Sequence, residues 1–414
     1  MKVWGAGDVD AASAGTLRVG QQDLVTPLAR ERARELGIDI VLAAPNPPAP
    51  PVSPPPAAPP SRNAPPAARP PSGRGSVPAM RPPSGALFRR GAPLPQGLAA
   101  GGGGTGRVIV VGAGHVGMIT ALRLAGADLF DEIVLVDIDE GRAAGVALDL
   151  AHTAALGCFA TRVRGTGAVE DAGPADYVVI TAGRPRQPGM SRSDLVSTNA
   201  AIVGDLAQRV ARTSPDAVIV VVTNPLDEMT QHAWRSSGFP AERVVGMAGV
   251  LDTARFQALS ALAGAGRADG IDAVALGSHG EEMVIPLSQA RSGARPLTEL
   301  VDRAALDAVV DRSRGSGAEV VGLLKTGSAF MAPGMSAARM VLAMARDTGE
   351  VMPAAVLADG TYGIRDVYVG LPVRLGRGGV REIVELDLTP DELSALRDAA
   401  TRIKDRLRQL AAVS

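Results

Sequence analysis

The sequence reads as α/β, a doubly wound parallel sheet followed by an α+β region, on three grounds. Continuous apolar runs occur at 108–111, 133–136, 177–180 and 217–222, the pattern of strands buried on both faces rather than one. Helical stretches at 115–127, 141–156 and 194–212 separate them, and strands alternating with helices favour a parallel sheet. The turn Gly112-Ala113-Gly114-His115-Val116-Gly117 joins the first run directly to the first of these helices.

The elements follow in order. Residues 1–43 hold a short unit: Thr26 as helix cap, Pro27 at the first helical position and Gly37 as the stop, then a strand from Ile38 to Leu42. That is too little chain for a stable domain by itself. Residues 44–104 form a Pro/Ala/Gly-rich linker. It carries 19 of the 32 prolines, and no acidic residue occurs between Asp39 and Asp128. Such a segment buries too little apolar surface to offset its ordering entropy and is expected to be disordered. The two larger regions are 105–250, with the parallel sheet, and 251–414. Strands in the latter carry more charge (366–369 and 380–385), which suits antiparallel pairing. A terminal helix over 389–411 starts at Thr389-Pro390-Asp391-Glu392, a capping box with a first-position proline.

Composition narrows the function. The 42 basic and 43 acidic residues balance, so charge points to neither nucleic acid nor a membrane surface. The single cysteine, Cys158, excludes an internal disulfide and a cysteine-based zinc site, and it suits a reducing compartment such as the cytoplasm. No apolar run is long enough to span a membrane, and the first 20 residues do not resemble a secretory signal. No H-x-x-x-H or cysteine pair supports a metal.

The glycine loop carries the first chemistry. A strand, this turn and a helix N-terminus suit close approach to a pyrophosphate, with Gly112, Gly114 and Gly117 as the glycines concerned. The next strand ends at Asp137, where an acid can bind ribose hydroxyls and repel a 2′-phosphate, so NAD is favoured over NADP. A plain strand–helix turn is the competing reading. The loop from Ala182 to Arg192 interleaves Arg184, Arg186 and Arg192 with prolines and glycine. Beyond a strand's carboxyl end, that pattern reads as a mobile lid bringing guanidinium groups onto an anion. Asn224, in Thr223-Asn224-Pro225-Leu226-Asp227, can donate to a substrate or to a nicotinamide, or can simply form a turn. Downstream, Gly277-Ser278-His279-Gly280-Glu281 centres on a histidine able to exchange a proton near neutral pH. Asp252 and Arg255, in Leu251-Asp252-Thr253-Ala254-Arg255, offer a carboxylate to orient the ring and a cation one turn away. His115, His152 and His232 read as loop, packing or surface residues. Lys325 reads as structural.

In order and spacing these motifs resemble the lactate/malate dehydrogenase family over residues 106–411. The closest likeness is to its malate dehydrogenases of lactate dehydrogenase-like architecture. The resemblance implies a Rossmann domain and a catalytic domain, with NAD as cofactor and reversible oxidation of malate to oxaloacetate, a tricarboxylic acid cycle reaction. His279 would be the acid–base, Asp252 its partner, Arg255 the clamp on the substrate's C1 carboxylate, and Arg192 the group polarising the carbonyl. Asn224 would orient substrate and cofactor, and Asn199 would contact the cofactor. Gly327-Ser328-Ala329-Phe330-Met331-Ala332-Pro333 would line the substrate pocket.

Arg186 separates substrate classes. Closed opposite a methyl group it would be a buried unpaired charge; opposite a second carboxylate it is a charge-assisted pair. A different 2-hydroxy acid dehydrogenase, such as L-lactate dehydrogenase, is the alternative. A family member retired to a scaffold role is a third reading. The resemblance also implies a homodimer or homotetramer, with small-residue faces (Ala121 and Ala125; Ala258 and Ala261) between subunits. The segment around Thr26 to Ile38 resembles docking elements of some bacterial microcompartment enzymes, so 1–43 would be a targeting element and 44–104 its tether.

Overall fold

The computed structural model describes residues 3–4, 9, 15–20, 23–25, 27–42, 106–184, 192–325 and 327–413. The linker and Arg186 therefore lie outside the described residues, and of Arg192 only the backbone is described. The chain divides into two compact units, 1–82 and 83–414.

The first unit is more elaborate than one helix and one strand. β1 (Val3–Trp4) pairs in parallel with β3 (Leu24–Val25), and β2 (Thr16–Val19) with β4 (Asp39–Leu42). Helix α1 (Pro27–Leu36) leads into β4, with Gly37 at φ +65° ending it. Val9, Leu17, Val19, Ala29 and Ala33 form a small core against Trp4, Val25, Ile38 and Ile40. The strands near the amino terminus are too short for periodicity to reveal.

The second unit is built on an eleven-stranded sheet. Its parallel half runs β7 (Arg162–Thr166), β6 (Glu132–Val136), β5 (Arg107–Val111), β8 (Tyr177–Ile180), β9 (Val218–Val221), β10 (Val244–Gly246). The apolar runs are buried on both faces as expected. Val108, Val110, Tyr177 and Val179 face one core; Ile109, Val111, Val178 and Ile180 face the other. Helices α2 (His115–Ala125), α3 (Glu140–His152), α4 (Arg192–Thr213) and α5 (Leu226–Ser237) cover these faces. Strand order reverses at β5, so the glycine loop stands where open α/β sheets bind ligands.

The sheet does not stop at residue 250. Small strands β11 (Ile271–Asp272), β12 (Leu276–Gly277), β13 (Met283–Val284), β14 (Arg291–Ser292) and β15 (Arg295–Pro296) precede the long β16 (Val351–Asp359), β17 (Arg365–Gly376) and β18 (Gly379–Ile383). Antiparallel pairing of Gly246 with Ala355 joins β10 to β16, and β17, β12 and β13 continue outward. The alanines and Pro353 of β16 hide it from sequence patterning, because neither residue favours a strand. Helices α6 (Gly249–Ser260), α7 (Arg303–Leu324), α8 (Met331–Ala345) and the terminal α9 (Pro390–Val413) complete the unit.

α8 lies on α2. A Cβ at Gly334 would come within 2.7 Å of the Ile119 Cβ, so only glycine permits this approach. One expectation is corrected here. Ala121 and Ala125 are fully buried in the chain's own core and cannot face another subunit. Ala258 is exposed and Ala261 half-buried.

Candidate active site

The first part of the site is made of backbone. Gly112 stands at φ +105°, where a side chain would be strained, and its N–H donates to Val136 O at 2.7 Å. A Cβ at Gly117 would lie 1.8 Å from Gly112 O, so the helix can start this close to the strand only with glycine. Around Gly114 there is open space, and no side chain among the described residues caps the helix. The first N–H groups of α2 are thus left for a ligand, the arrangement a pyrophosphate needs. Asp137 closes the loop: Oδ2 accepts from Ala113 N at 2.8 Å and Oδ1 from Asp139 N at 3.0 Å. Each oxygen keeps a further lone pair for a ribose hydroxyl. These residues fit NAD.

Hydrogen bonds tie the neighbouring strand-end loops to this one. Thr181 Oγ1 donates within a shared site to Val111 O and Gly112 O, both at 3.1 Å, and Thr223 Oγ1 donates to Ala182 O at 2.7 Å. Asn199, expected at the cofactor, turns out to be buried. Its Oδ1 accepts from Arg184 N at 2.8 Å, while its Nδ2 donates to Arg184 O at 3.2 Å and Asn224 O at 2.8 Å. The amide is spent on backbone, so Asn199 acts as a bracket between the root of the arginine loop and the asparagine loop. Arg184 has an exposed side chain and enters this bracket through its main chain. The Asn224 side chain is exposed, next to a cis bond to Pro225.

The second part is made of side chains. His279 Nδ1 lies 2.8 Å from Asp252 Oδ2, and Arg255 Nη1 lies 3.1 Å from Asp252 Oδ1. Asp252 is buried on α6, and the side chains of His279 and Arg255 are each 15% exposed. The close carboxylate assigns the ring proton to Nδ1, which leaves Nε2 for a substrate. Burial alone would lower the His279 pKa. The Asp252 carboxylate beside the ring, with Asp227, overrides that and holds it above the ordinary histidine value.

Sequence reading missed how the histidine's backbone is held. Asp227, at the start of α5, is fully enclosed. Its Oδ2 accepts from His279 N at 3.1 Å and from Ser278 Oγ at 2.8 Å, while Oδ1 is buried without a hydrogen-bond partner among the described residues. Burial and the adjacent Glu228 push its pKa up to about 7. The signal was the aspartate closing Thr223-Asn224-Pro225-Leu226-Asp227, one turn past a strand end. The contact that Phe330 makes with His115 was also unforeseen. From the expected pocket-lining segment, Phe330 meets the His115 ring at a centroid distance of 4.9 Å.

The remaining histidines behave as packing or surface groups: His232 sits against Gly204 on α4 with its pKa lowered by burial, and His152 is exposed. Lys325, at φ +60°, ends α7. No group of three or more potential metal ligands occurs among the described residues.

Two family models fall on this architecture. Residues 106–246 match the lactate/malate dehydrogenase NAD binding domain, and residues 249–413 the lactate/malate dehydrogenase alpha/beta C-terminal domain. The chain belongs to the lactate/malate dehydrogenase family. Within it, the chain is similar to malate dehydrogenase of Pelodictyon phaeoclathratiforme, at 45% identity over 305 residues, 74% of this chain and 98% of that protein. Among solved structures it is similar to the malate dehydrogenase of Salinibacter ruber (TM-score 0.71, 40% identity, covering 74% of this chain and 98% of that one). It is also similar to a lactate dehydrogenase of Cryptosporidium parvum solved with lactic acid and nicotinamide adenine dinucleotide (TM-score 0.71, 35% identity, covering 74% and 98%). The family models begin at residue 106, so the first unit and the linker lie outside both.

Proposed function

We infer that this chain is an NAD-dependent malate dehydrogenase, interconverting malate and oxaloacetate. The observation that carries the acid–base assignment is the buried Asp252 held between His279 and Arg255, with one carboxylate oxygen for each. In oxidation His279 Nε2 would take the C2 hydroxyl proton as the C2 hydride leaves, and in reduction it would return that proton. Asp252 would hold the ring in the reactive tautomer and balance the imidazolium charge. NAD, when bound, accepts the hydride. Gly112, Gly114, Gly117 and Asp137 would hold the cofactor, and Asn199 would act by holding the Arg184 and Asn224 loops at their spacing.

Arg255 would bind the C1 carboxylate with the donors that Asp252 leaves free. Arg192, at the start of α4, would polarise the C2 carbonyl, and Arg186 would meet the distal carboxylate. Malate over lactate is supported by the 45% identity to a malate dehydrogenase and by Arg186. Oxaloacetate and pyruvate reduction, compared with NADH and then NADPH, tests the assignment. Oxaloacetate with NADH should be preferred, and Arg186→Gln should cost about 100-fold in kcat/KM for oxaloacetate, the cost of an unpaired buried carboxylate. Pyruvate preference in the unaltered enzyme would move the reading to lactate.

Two further proposals concern assembly. The exposed apolar patch of Leu122, Met331 and Met335 on α2 and α8 would be buried in a homo-oligomer, and light scattering that shows a clean monomer would refute it. Residues 1–43 would act as a docking element on the 44–104 tether. Deleting 1–104 should then preserve turnover and abolish association with the partner assembly.

No helix among the described residues is long and apolar enough to cross a membrane.

A further inference from the structure

The turn that carries His279 is held from behind by the terminal helix. Arg406, on α9, donates Nε to the buried Glu228, Nη1 to Glu282 Oε2 at 2.7 Å and Nη2 to Ser278 Oγ at 2.9 Å. Its side chain is 22% exposed and that of Glu228 4%. The three acceptors are not scattered. Glu228 follows Asp227 in the chain, and Ser278 and Glu282 flank His279. Arg402 adds a weaker contact to Glu282 at 3.4 Å.

The donor geometry gives a direction to the relay. A hydroxyl has one proton. With Arg406 donating to Ser278 Oγ, that proton is directed to Asp227 Oδ2, the same oxygen that accepts His279 N. The planar fork holds three donors in fixed directions toward Glu228, Glu282 and Ser278, whereas a lysine would offer only a compact charge on a flexible stem.

Charge gives a second reason. Glu228 and Asp227 are adjacent buried acids, and Arg406 neutralises the first.

We propose that Arg406 is a positioning residue of the acid–base centre, fixing the His279 turn through Ser278 and Asp227 and compensating Glu228. The proposal rests on His279 being the acid–base. The charged groups acting on His279 are Asp252 and Arg255 from α6 and Asp227 from α5. Removing the Arg406 cation leaves a net negative charge behind this turn, which favours the imidazolium.

The test uses the full-length enzyme. The pH dependence of malate oxidation is measured beside the titration of the His279 ring by NMR, in a protein with only 4 histidines. In Arg406→Met, kcat should fall about tenfold with KM for malate within about twofold, and both midpoints should move up by about 0.5–1 pH unit. Arg406→Lys should restore the midpoints and only part of kcat. A variant with a lower Tm but unaltered kcat and midpoints would show that Arg406 is merely structural, and would overturn the proposal. If Arg406→Met does not fold, Ser278→Ala cuts the relay while leaving the ion pairs, and unaltered kcat there overturns it equally. A kinetic midpoint in the unaltered enzyme that does not follow the His279 titration would instead refute the acid–base role on which the proposal rests.

Discussion

The glycine loop at 112–117 and the histidine turn at 277–283 adjoin one sheet, but they are made of different material. The first is backbone: three glycines, an uncapped helix end and one aspartate that binds main-chain N–H groups. Its parts lie within 26 residues of chain, from Gly112 to Asp137. The second is a cluster of side chains drawn from α5, α6, the turn after β12, and α9. Asp227 and Ser278 lie 51 residues apart, and Arg406 and Glu228 178. A cradle of backbone tolerates change in whatever side chains surround it. A relay of side chains depends on each donor having the right acceptor.

That difference explains what could be read in advance. The cofactor loop was legible because the chemistry and the geometry share one contiguous run, and the apolar strands around it are continuous because both faces are buried. The His279, Asp252 and Arg255 set was legible as motifs in order, although nothing local said that one carboxylate would serve both the ring and the guanidinium. Asn199 was placed at the cofactor, whereas its amide is buried and bound to the Arg184 and Asn224 main chain. Asp227 and Arg406 escaped because an aspartate after a strand and an arginine on an amphipathic helix look, in sequence, like a cap and a solvated charge. Only tertiary contact gives them partners. β16 escaped because alanine-rich composition hides a strand whose burial is set by its neighbours.

Substitutions in each half separate the two materials. The largest effect is expected on the side-chain half. Asp252→Asn should lower kcat about 10²–10³-fold by removing the ring's charge partner. The same change releases His279 from the carboxylate that keeps its pKa high. The neutral base then survives to lower pH, and the acid limb of malate oxidation should move down, as a kcat–pH profile would show. A profile unmoved in a folded variant would contradict the pairing.

A smaller effect, on binding rather than chemistry, is expected on the backbone half. Gly117→Ala brings a methyl to within 1.8 Å of Gly112 O and must push the helix start off the strand. NADH affinity, followed by fluorescence titration, should weaken about tenfold or more, corresponding to about 1–3 kcal/mol of overpacking. kcat at saturating NADH should change far less. An equal loss of kcat would mean that the two halves are not separable.

The smallest effect is expected away from both. Arg209 beside Glu170 holds that carboxyl down to about 2, but the Glu170 side chain is 47% exposed and the pair is screened by solvent. Glu170→Gln should cost less than about 1 kcal/mol at neutral pH, less in high salt. A depressed acid stabilises above its unfolded value of 4.5, and the contribution is lost as pH falls through about 2. The difference between variant and parent in thermal unfolding should therefore shrink between pH 4.5 and 2. A constant difference across that range would place its cause elsewhere.

The most direct measurement is NADH binding and oxaloacetate turnover in His279→Asn, made on the same preparation. The dissociation constant for NADH should stay within about twofold of the parent, because the cradle is backbone from a separate stretch of chain, while turnover should fall about 10²–10⁴-fold. Turnover within tenfold of the parent would remove His279 from the chemistry, and loss of NADH binding in a folded protein would show that the cofactor half depends on the histidine turn after all.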